Sequence, residues 1–472
     1  MSTQHATPAL PSLRQIMLLA ITIIGCIVSF SVVNNVPVQV PLVFSWFSII
    51  GLGILLGHSY HSLQKGLIDG ITQGGDAILV LIAVGALIGS WISGGVVPNI
   101  IYYGLSVMSP EYFLVGAFFV CSITSLATGT SFGTAGTAGV AMMGIGASFG
   151  LPLPLVAGAV ISGAYVGDKL SPLSDTTVMA ASLCEVNIVE HIKSMLTVSF
   201  PAIIVAASLF LAVGLFYDFD PSNNQTDVVL MALEQNFSIG WYMLLPAAIV
   251  IALLVLKLPS VPVIFFGALL GVIWAMLFEA NSFDTAFGSL VNGNTIESDL
   301  PFLNILLNRG GIQSMASVVV IIILALGLGG LMQTVGVLDT VSKRIKKWAT
   351  SIGRLTSATM IAGIMGNVIG GAAYVAIITA STLTKENYRH LNIDKRVLSR
   401  NTEAGATIPT PMVPWSDGGI FMASTLGVAT VSYLPFLWYH LLVIAITLIY
   451  GKLGWFNFNK DEGQSATNAI RT

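Results

Sequence analysis

Apolar segments of membrane-spanning length follow one another along almost the whole chain of 472 residues. A helix needs roughly 20 mostly apolar residues to cross about 30 Å of hydrocarbon. Polar residues separate the segments, so their limits can be read from the sequence. We therefore predict an all-α integral membrane protein without a separate soluble domain. The segments lie at about 16–33, 38–57, 77–94, 112–150, 152–182 and 193–217, then at 238–257, 259–279, 316–338, 355–382, 397–428 and 431–451.

Charged side chains are too scarce to cover a water-soluble surface. Asp, Glu, Lys and Arg make up 9% of the chain and hydrophobic residues 55%, whereas soluble domains carry roughly 25% charged residues. The lipid bilayer is therefore the predicted partner of most of the surface. A net charge of −3 without a large basic cluster excludes a nucleic-acid partner. The three cysteines and six histidines lack the spacing of a disulfide framework or a zinc site, so we expect no resident cofactor.

A polar motif inside the apolar segments occurs twice. Pro172-Leu-Ser-Asp175 returns as Pro414-Trp-Ser-Asp417, which is an offset of 242 residues. The same offset aligns further Gly, Ala and Thr positions without a gap, including Gly129 with Gly371. A shared register of this kind predicts an internal repeat, which is typical of secondary transporters. The predicted divisions are a first repeat at 1–217, an extracytoplasmic linker at 218–237, a second repeat at 238–452 and a cytoplasmic tail at 453–472.

Basic residues predict how the two repeats are oriented, because short cytoplasmic loops collect Lys and Arg. Clusters at 343–354 and 385–396 place both ends of segment 355–382 in the cytoplasm. Segment 112–150 is flanked by stretches without Lys or Arg, so both of its ends are placed outside. We therefore predict inverted repeats with cytoplasmic termini, about ten full helices, two re-entrant hairpins and broken helices at the midplane. A count of about 12 or more helices remains the alternative, since both segments are long enough for two crossings.

Four polar interruptions mark where function is expected. Non-helical backbone at membrane depth is tolerated only where protein or a water-filled cavity satisfies its polar groups. We name the interruptions the first tip (residues 128–134), the first break (167–177), the second tip (366–374) and the second break (403–417). The tips are glycine-rich and the breaks contain proline, so both can expose backbone groups to a bound ion.

Carboxylates inside the breaks are the predicted ion- and proton-binding groups. A charged residue at the centre of a span costs roughly 2.5–3.5 kcal/mol on insertion scales, so it is a functional candidate by default. The two aspartates that end the repeated motif are the leading candidates because the repeat supplies both. The four candidates are Asp168, Asp175, Glu403 and Asp417.

A structural role for these carboxylates is the competing interpretation. Asp168 could form an ion pair with the neighbouring Lys169. The aspartates of the repeated motif could accept backbone N–H bonds at the start of half-helices. Glu403 could lie nearer the cytoplasmic face, beside Arg400.

Hydroxyl groups and freed carbonyls at the interruptions are predicted ligands for a hard cation. Their competing interpretation is helix packing, because small residues such as those of Gly129-x-x-x-Gly133 let helices approach closely. The first tip also matches the G-x-S-x-G pattern of hydrolases, but it lacks the strand before and the helix after that such a nucleophile needs. We therefore do not expect an enzyme. The predicted ligands are Thr128, Gly129, Thr130, Ser131, Ser174, Thr176, Thr177 and Ser416.

At these interruptions the chain resembles the NhaC family of sodium/proton antiporters. The resemblance is carried by 125–140 (SLATGTSFGTAGTAGV), 162–177 (SGAYVGDKLSPLSDTT) and 400–407 (RNTEAGAT). It implies inverted repeats with re-entrant hairpins, a homodimer and a place in the bacterial cytoplasmic membrane. The chain departs from the family pattern at Val178, where Asn is common, and in the second tip, which is often more acidic or amidic.

The predicted function is exchange of cytoplasmic Na⁺ for external H⁺ at a midplane carboxylate site. Hydroxyls and tip carbonyls would complete the oxygen shell of the cation. The alternative is Na⁺- or H⁺-coupled transport of a small organic solute, either a carboxylate such as malate or lactate or an amino acid. Lys169 or Arg400 would then act as the charge partner of the substrate carboxylate.

Overall fold

The computed structural model describes residues 8–27, 29–30, 34, 36–37, 39–72, 75–172, 174–217, 226–256, 258–296, 307–308 and 310–458. Every regular element in these ranges is a helix, which confirms the all-α prediction. Part of the predicted linker (218–225), most of the predicted tail (459–472) and the side chains of the basic cluster at 342–347 lie outside the described residues.

Helices of the first half follow the predicted segments, with short helices between them. Their bounds are α1 Leu13–Ile27, α2 Gln39–Leu55, α3 Tyr60–Thr72, α4 Gly75–Ser93, α5 Val96–Val107, α6 Pro110–Thr128, α7 Ser131–Thr134, a π-turn at Ala135–Gly139, α8 Val140–Ser148, α9 Leu153–Leu170, α10 Asp175–Leu183 and α11 Ile188–Phe216. The long segment 112–150 therefore contains a first arm, a tip and an irregular second arm.

The second half repeats this pattern with a more regular hairpin. Its bounds are α12 Thr226–Asn236, α13 Leu245–Val255, α14 Ser260–Phe278, α15 Phe283–Asn292, α16 Ile312–Thr334, α17 Val337–Trp348, α18 Ile352–Gly370, α19 Ala373–His390, α20 Lys395–Ala406, α21 Asp417–Leu426, α22 Thr430–Tyr433 and α23 Trp438–Leu453. Here α18 and α19 pack against each other along their length.

Six described helices are long and apolar enough to cross a membrane, and three bent helix pairs bring this number to nine if each pair is one span. Helices α1, α2 and α23 are apolar but shorter. The membrane-transporter fold class is thus confirmed. Four helices at 60–72, 96–107, 226–236 and 283–292 lie outside the predicted apolar segments, because each is short or carries polar residues that lower its mean hydropathy.

Helix bounds reproduce the offset of 242 residues. Helices α6 and α18 begin at 110 and 352, α9 and α20 begin at 153 and 395, and α10 and α21 begin at 175 and 417. The matching starts support two structural copies of one unit. Their inverted orientation and the exact divisions of the chain stay predictions.

Contacts between helices repeat at the same offset. Gly163 of α9 lies so close to the Phe118 carbonyl of α6 that no side chain would fit there, and Gly405 of α20 meets Met360 of α18 in the same way. The Ser125 hydroxyl donates to the Ala164 carbonyl. The corresponding bond joins the Asn367 amide to the Ala406 carbonyl. In each copy, the helix before the break (α9 or α20) therefore packs closely against the first arm of the hairpin (α6 or α18) and is hydrogen-bonded to it.

Glycine forms the turn at each tip because the backbone there is left-handed. Gly129 has φ of 71° and Gly371 has φ of 68°. Each ends a long helix, and the next residue is extended before the second arm starts. A side chain at such a φ costs about 1–2 kcal/mol. The two tips thus reverse the chain at equivalent positions, and each does so beside the break of its own copy.

Candidate functional site

A cavity of about 460 Å³ lies where the two tips meet the two breaks. Both copies line it, together with the segment that joins α13 to α14. The cavity thus combines apolar walls with the carboxylates that the sequence singled out. Its lining includes Thr128, Gly129, Thr130, Ser131, Asp168, Lys169, Asp175, Thr176 and Asp417 from the predicted set.

Asp168 is held by hydroxyl groups at the first break. Helix α9 ends at Leu170, before Pro172, and Ser174 caps the start of α10. The Ser174 hydroxyl donates to Asp168 Oδ1 at 2.7 Å, and the Ser131 hydroxyl of the first tip donates to Asp168 Oδ2 at 2.9 Å. Asp168 is 7% exposed. Each carboxylate oxygen of Asp168 therefore accepts one hydroxyl hydrogen bond, one from the first break and one from the first tip.

One ammonium group serves two carboxylates. Lys169 is fully buried, and its Nζ lies 3.3 Å from Asp168 Oδ2 and 3.1 Å from Glu403 Oε1. It also donates to Thr176 Oγ1 at 3.0 Å. The predicted Asp168–Lys169 ion pair is therefore present, but Glu403 of the other copy shares it. If both carboxylates are ionised, the trio carries a net charge of −1.

Glu403 lies deeper than the cavity wall. Its side chain is fully buried, and Oε1 accepts a hydrogen bond from the Thr407 hydroxyl at 2.9 Å. Oε2 lies 3.9 Å from His191 Nε2. Glu403 is therefore directed towards α9 and α11 instead of towards the cavity.

Arg400 and Glu403 lie three residues apart on α20, but they do not form an ion pair. The Arg400 guanidinium donates to the Thr197 hydroxyl at 3.3 Å and to the Phe456 carbonyl at 3.2 Å. Within the described part of the chain, no carboxylate lies within ion-pair distance of it. Side chains on a helix lean towards its N-terminus, so the long Arg400 side chain extends away from the break while Glu403 meets α9. Arg400 does not line the cavity.

Asp417 is fixed by backbone N–H groups at the second break. It is 5% exposed and is the first residue of α21. Its carboxylate accepts from Gly418 N at 2.7 Å and from Ala373 N of the second tip at 3.4 Å. The preceding Ser416 is the helix cap, and it donates to the carbonyls of Thr410 and Val413. Ser416 thus serves the backbone and stays out of the cavity.

Asp175 has a different environment from its counterpart Asp417. It is exposed towards the cavity and accepts a hydrogen bond from the Tyr374 hydroxyl of the second tip at 2.8 Å. In the reciprocal contact, Phe132 of the first tip stacks on Phe421 of α21 with ring centroids 4.2 Å apart. Each tip therefore contacts the half-helix of the other copy.

Two of the remaining predicted hydroxyl ligands serve the local fold. Thr130 Oγ1 accepts from Gly133 N at 3.2 Å and so caps the short helix of the first tip. Thr177 is buried, and its hydroxyl donates to the Asp168 carbonyl oxygen at 2.8 Å. The cavity residues Ser131 and Thr176, by contrast, touch the charged trio directly. Ser131 and Thr176 are therefore closer to the charged side chains of the cavity than the Thr130 and Thr177 hydroxyls, which serve the local backbone.

Three residues at the site were not predicted from the sequence. Tyr165 lines the cavity one helical turn before Asp168, so helical spacing could have revealed it. Tyr374 could have been found as the repeat partner of Phe132. His191 gave no signal, because its proximity to Glu403 depends on how two distant helices pack.

An ion cluster joins the two copies outside the membrane-spanning segments. Glu185 follows α10, and its carboxylate lies 2.7 Å from Lys385 Nζ, 2.7 Å from Lys395 Nζ and 3.5 Å from Arg389 Nη2. The hydrogen bond from Lys385, followed by that from Lys395, lowers the pKa of Glu185 to about 2. These bases belong to the cluster that predicts the cytoplasmic face.

The chain is similar to known proteins along nearly its whole length. The Na⁺/H⁺ antiporter family matches residues 5–184 and 163–455. A "Malate-2H(+)/Na(+)-lactate antiporter" of Bacillus subtilis is 47% identical, over 95% of this chain and 96% of that protein. "Na(+)/H(+) antiporter NhaC" of Alkalihalophilus pseudofirmus is 36% identical, over 93% and 95%. A solved structure of Neisseria gonorrhoeae MtrF covers 82% of this chain and 83% of that chain at 14% identity, with a TM-score of 0.35, which is too low to support an argument.

Proposed function

This chain belongs to the Na⁺/H⁺ antiporter family, and from this we propose a transport function. It is a multi-pass membrane protein of a family of transporters, and the resemblance to NhaC proteins noted in its motifs is confirmed. Our proposal is that it exchanges Na⁺ for H⁺ at the carboxylates around the cavity.

The excess of negative charge around Lys169 is the observation that carries this proposal. Asp168 and Glu403 share a single ammonium group, and Asp417 and Asp175 line the same cavity. A buried charge without a partner costs several kcal/mol, in the range of about 3–5 kcal/mol when one member of a pair is lost. Either a metal cation or a proton would remove that cost. With both of its carboxylates ionised, the trio of Asp168, Lys169 and Glu403 needs one added positive charge and can therefore alternate between Na⁺ and H⁺.

The oxygen atoms at Asp168 suit Na⁺, which is a hard cation that prefers oxygen ligands. Asp168 would supply the charge, while Ser131 and Thr176 would contribute hydroxyl lone pairs from the cavity wall. Asp417 would complete the site from the other copy. Proton binding to a carboxylate that shares Lys169 would remove the excess negative charge and release the cation, which gives exchange.

Orientation follows from the positive-inside rule and belongs to the same proposal. We place the protein in a bacterial cytoplasmic membrane with both termini inside, exporting Na⁺ and importing H⁺. Two inverted repeats, at 1–217 and 238–452, would be joined by an extracytoplasmic linker. A homodimer is proposed from the family resemblance.

Reconstituted vesicles test this function directly. Wild type and Asp168→Asn would be placed in liposomes containing a pH-sensitive dye, and external Na⁺ would be varied. We expect Na⁺-driven proton movement in wild type and its loss in Asp168→Asn. Asp284→Asn is a matched control, because Asp284 is exposed in the first turn of α15 and lies outside the cavity. Unchanged exchange in Asp168→Asn would contradict the proposal.

A second candidate function is supported by the size of the cavity and by the relative named for malate and lactate. A volume of about 460 Å³ corresponds to on the order of fifteen water molecules at about 30 Å³ each, which is more than one Na⁺ requires. A small carboxylate could fit there with its charge near Lys169. The same vesicles, tested with malate, lactate and amino acids, would separate solute-coupled transport from simple cation exchange.

A further inference from the structure

Two buried polar groups face each other behind the cavity. His191 belongs to the first turn of α11 and is fully buried, and Nε2 lies 3.9 Å from Glu403 Oε2. Within the described part of the chain, neither ring nitrogen of His191 has a hydrogen-bond partner, and neither has Glu403 Oε2. An unsatisfied buried group costs about 1–3 kcal/mol. A proton on the imidazole would attract the carboxylate, and the two atoms would satisfy each other once their separation of 3.9 Å shortens to hydrogen-bond distance.

The surroundings of this pair contain one further charge that can compensate Glu403. Lys169 Nζ lies 3.1 Å from Glu403 Oε1, on the opposite carboxylate oxygen from His191. The Tyr439 hydroxyl of α23 is near enough to interact electrostatically with Glu403, but it is bonded to Ser199. Among the described residues, the other titratable groups near the pair are Asp168 of α9, which shares Lys169, and Cys184 after α10.

The pair is shielded from the cavity, and the helix that carries His191 has an exposed cap. Neither His191 nor Glu403 lines the cavity, so a cation bound at Asp168 does not touch them. Asn187 caps α11 and is exposed, only one helical turn before His191. A proton route to the imidazole from this end of α11 would bypass the cation site.

We propose that His191 and Glu403 form a proton-carrying dyad that is separate from the cation site and is coupled to it through Lys169. This inference rests on the proposed function. When Na⁺ binds Asp168, the Lys169 ammonium compensates Glu403, and the dyad releases its proton to water near Asn187. When Na⁺ leaves, Lys169 compensates Asp168, and a proton returns to the dyad. In both states one cation balances the extra carboxylate, so the net charge is conserved.

His191 then has a proton-carrying role that can be distinguished from a structural role. Exchange of Na⁺ for Na⁺ across the membrane needs no proton, whereas exchange of Na⁺ for H⁺ needs the dyad. A variant that removes the proton carrier should separate these two activities. A variant that merely damages the fold should lower both.

The experiment measures ²²Na⁺ self-exchange and Na⁺-driven proton movement in the same proteoliposomes. We expect His191→Gln to keep self-exchange within about twofold and to lose proton movement by about a hundredfold, the usual effect of removing a proton-transfer group. Glu403→Gln should also lose proton movement, but it should lower self-exchange as well, because it removes the excess negative charge that favours Na⁺ at Asp168. His440→Gln is the matched control, because His440 is also buried with unpartnered ring nitrogens, yet it packs on Tyr165 without a carboxylate partner.

Every outcome of this experiment bears on the dyad. Proton movement at the wild-type rate in His191→Gln would overturn it, and so would an equal loss of both activities in His191→Gln. Asp168→Asn should lose both activities, which tests the cation site on its own. Wild-type protein that exchanges Na⁺ but moves no protons would contradict the proposed function itself, and the dyad with it.

Discussion

Replacing Lys169 by Gln should make the stability of the protein depend on Na⁺. The ammonium group lies 3.3 Å from Asp168 and 3.1 Å from Glu403, and all three side chains are buried or nearly so. Removing one partner of a buried ion pair costs about 3–5 kcal/mol. Since Lys169 serves two carboxylates, we expect the upper part of that range at alkaline pH without Na⁺.

Added cations should restore part of this loss. If Na⁺ replaces the missing ammonium, it stabilises the variant by about 2.7 kcal/mol at a concentration of one hundred times its Kd. Protons should act in the same way, so Lys169→Gln should gain more stability than wild type when the pH is lowered. The double variant Lys169→Gln with Glu403→Gln returns the net charge of the trio to the −1 of wild type and should therefore be more stable than Lys169→Gln alone.

Thermal unfolding of purified protein in detergent checks these expectations. Wild type, the single variant and the double variant would be compared at pH 6 and pH 8, with Na⁺ and with choline as the inert cation. The reasoning would be refuted if Lys169→Gln were as stable as wild type at pH 8 in choline. It would also be refuted if Na⁺ stabilised both proteins equally.

Three further predictions concern other parts of the fold. Ser131→Ala removes one hydroxyl bond to Asp168, worth about 1 kcal/mol, and should weaken Na⁺ activation of proton movement in vesicles roughly fivefold. Gly371→Ala places a side chain at φ of 68° and should lower thermal stability by about 1–2 kcal/mol, as measured by unfolding in detergent. Burial raises the pKa of Glu279 from 4.5 to about 7, so this group binds protons more tightly in the folded state, and stability should fall as the pH rises from about 4.5 to 7. Glu279→Gln should remove that part of the pH profile, and an unchanged profile would show that another group is responsible.

The membrane fold could be predicted because the backbone polar groups of a lipid-exposed segment must be satisfied within the protein, which few structures allow. Long apolar segments in a bilayer must be helices. The motif that ends at Asp175 and again at Asp417 indicates the repeat from the sequence alone. The helix starts at 110 and 352 then match that register. Short helices such as Tyr60–Thr72 were missed, because they bury small residues against neighbouring helices instead of forming a long apolar run.

The site could be predicted in its residue types but not in its pairings. Four carboxylates stood out because charge is rare in this chain, and three of them line one cavity. The contact between Lys169 and Glu403 joins residues far apart in the sequence, so it depends on how the two copies pack. The same holds for His191, which no motif marks. The partners of Arg400 could not be predicted either, because they depend on the direction of its side chain. Its guanidinium points away from the second break and donates to the Phe456 carbonyl, although Glu403 is only three residues away.

Proton release on Na⁺ binding is the most direct test of the central claim, that one excess carboxylate charge accepts either Na⁺ or H⁺. Na⁺ would be titrated into purified protein in weakly buffered detergent solution, and released protons would be counted between pH 6 and pH 9. We predict that Na⁺ binding releases protons and that the apparent affinity falls as the pH is lowered, with neither effect in Asp168→Asn. Na⁺ binding without proton release, at an affinity independent of pH, would contradict the account.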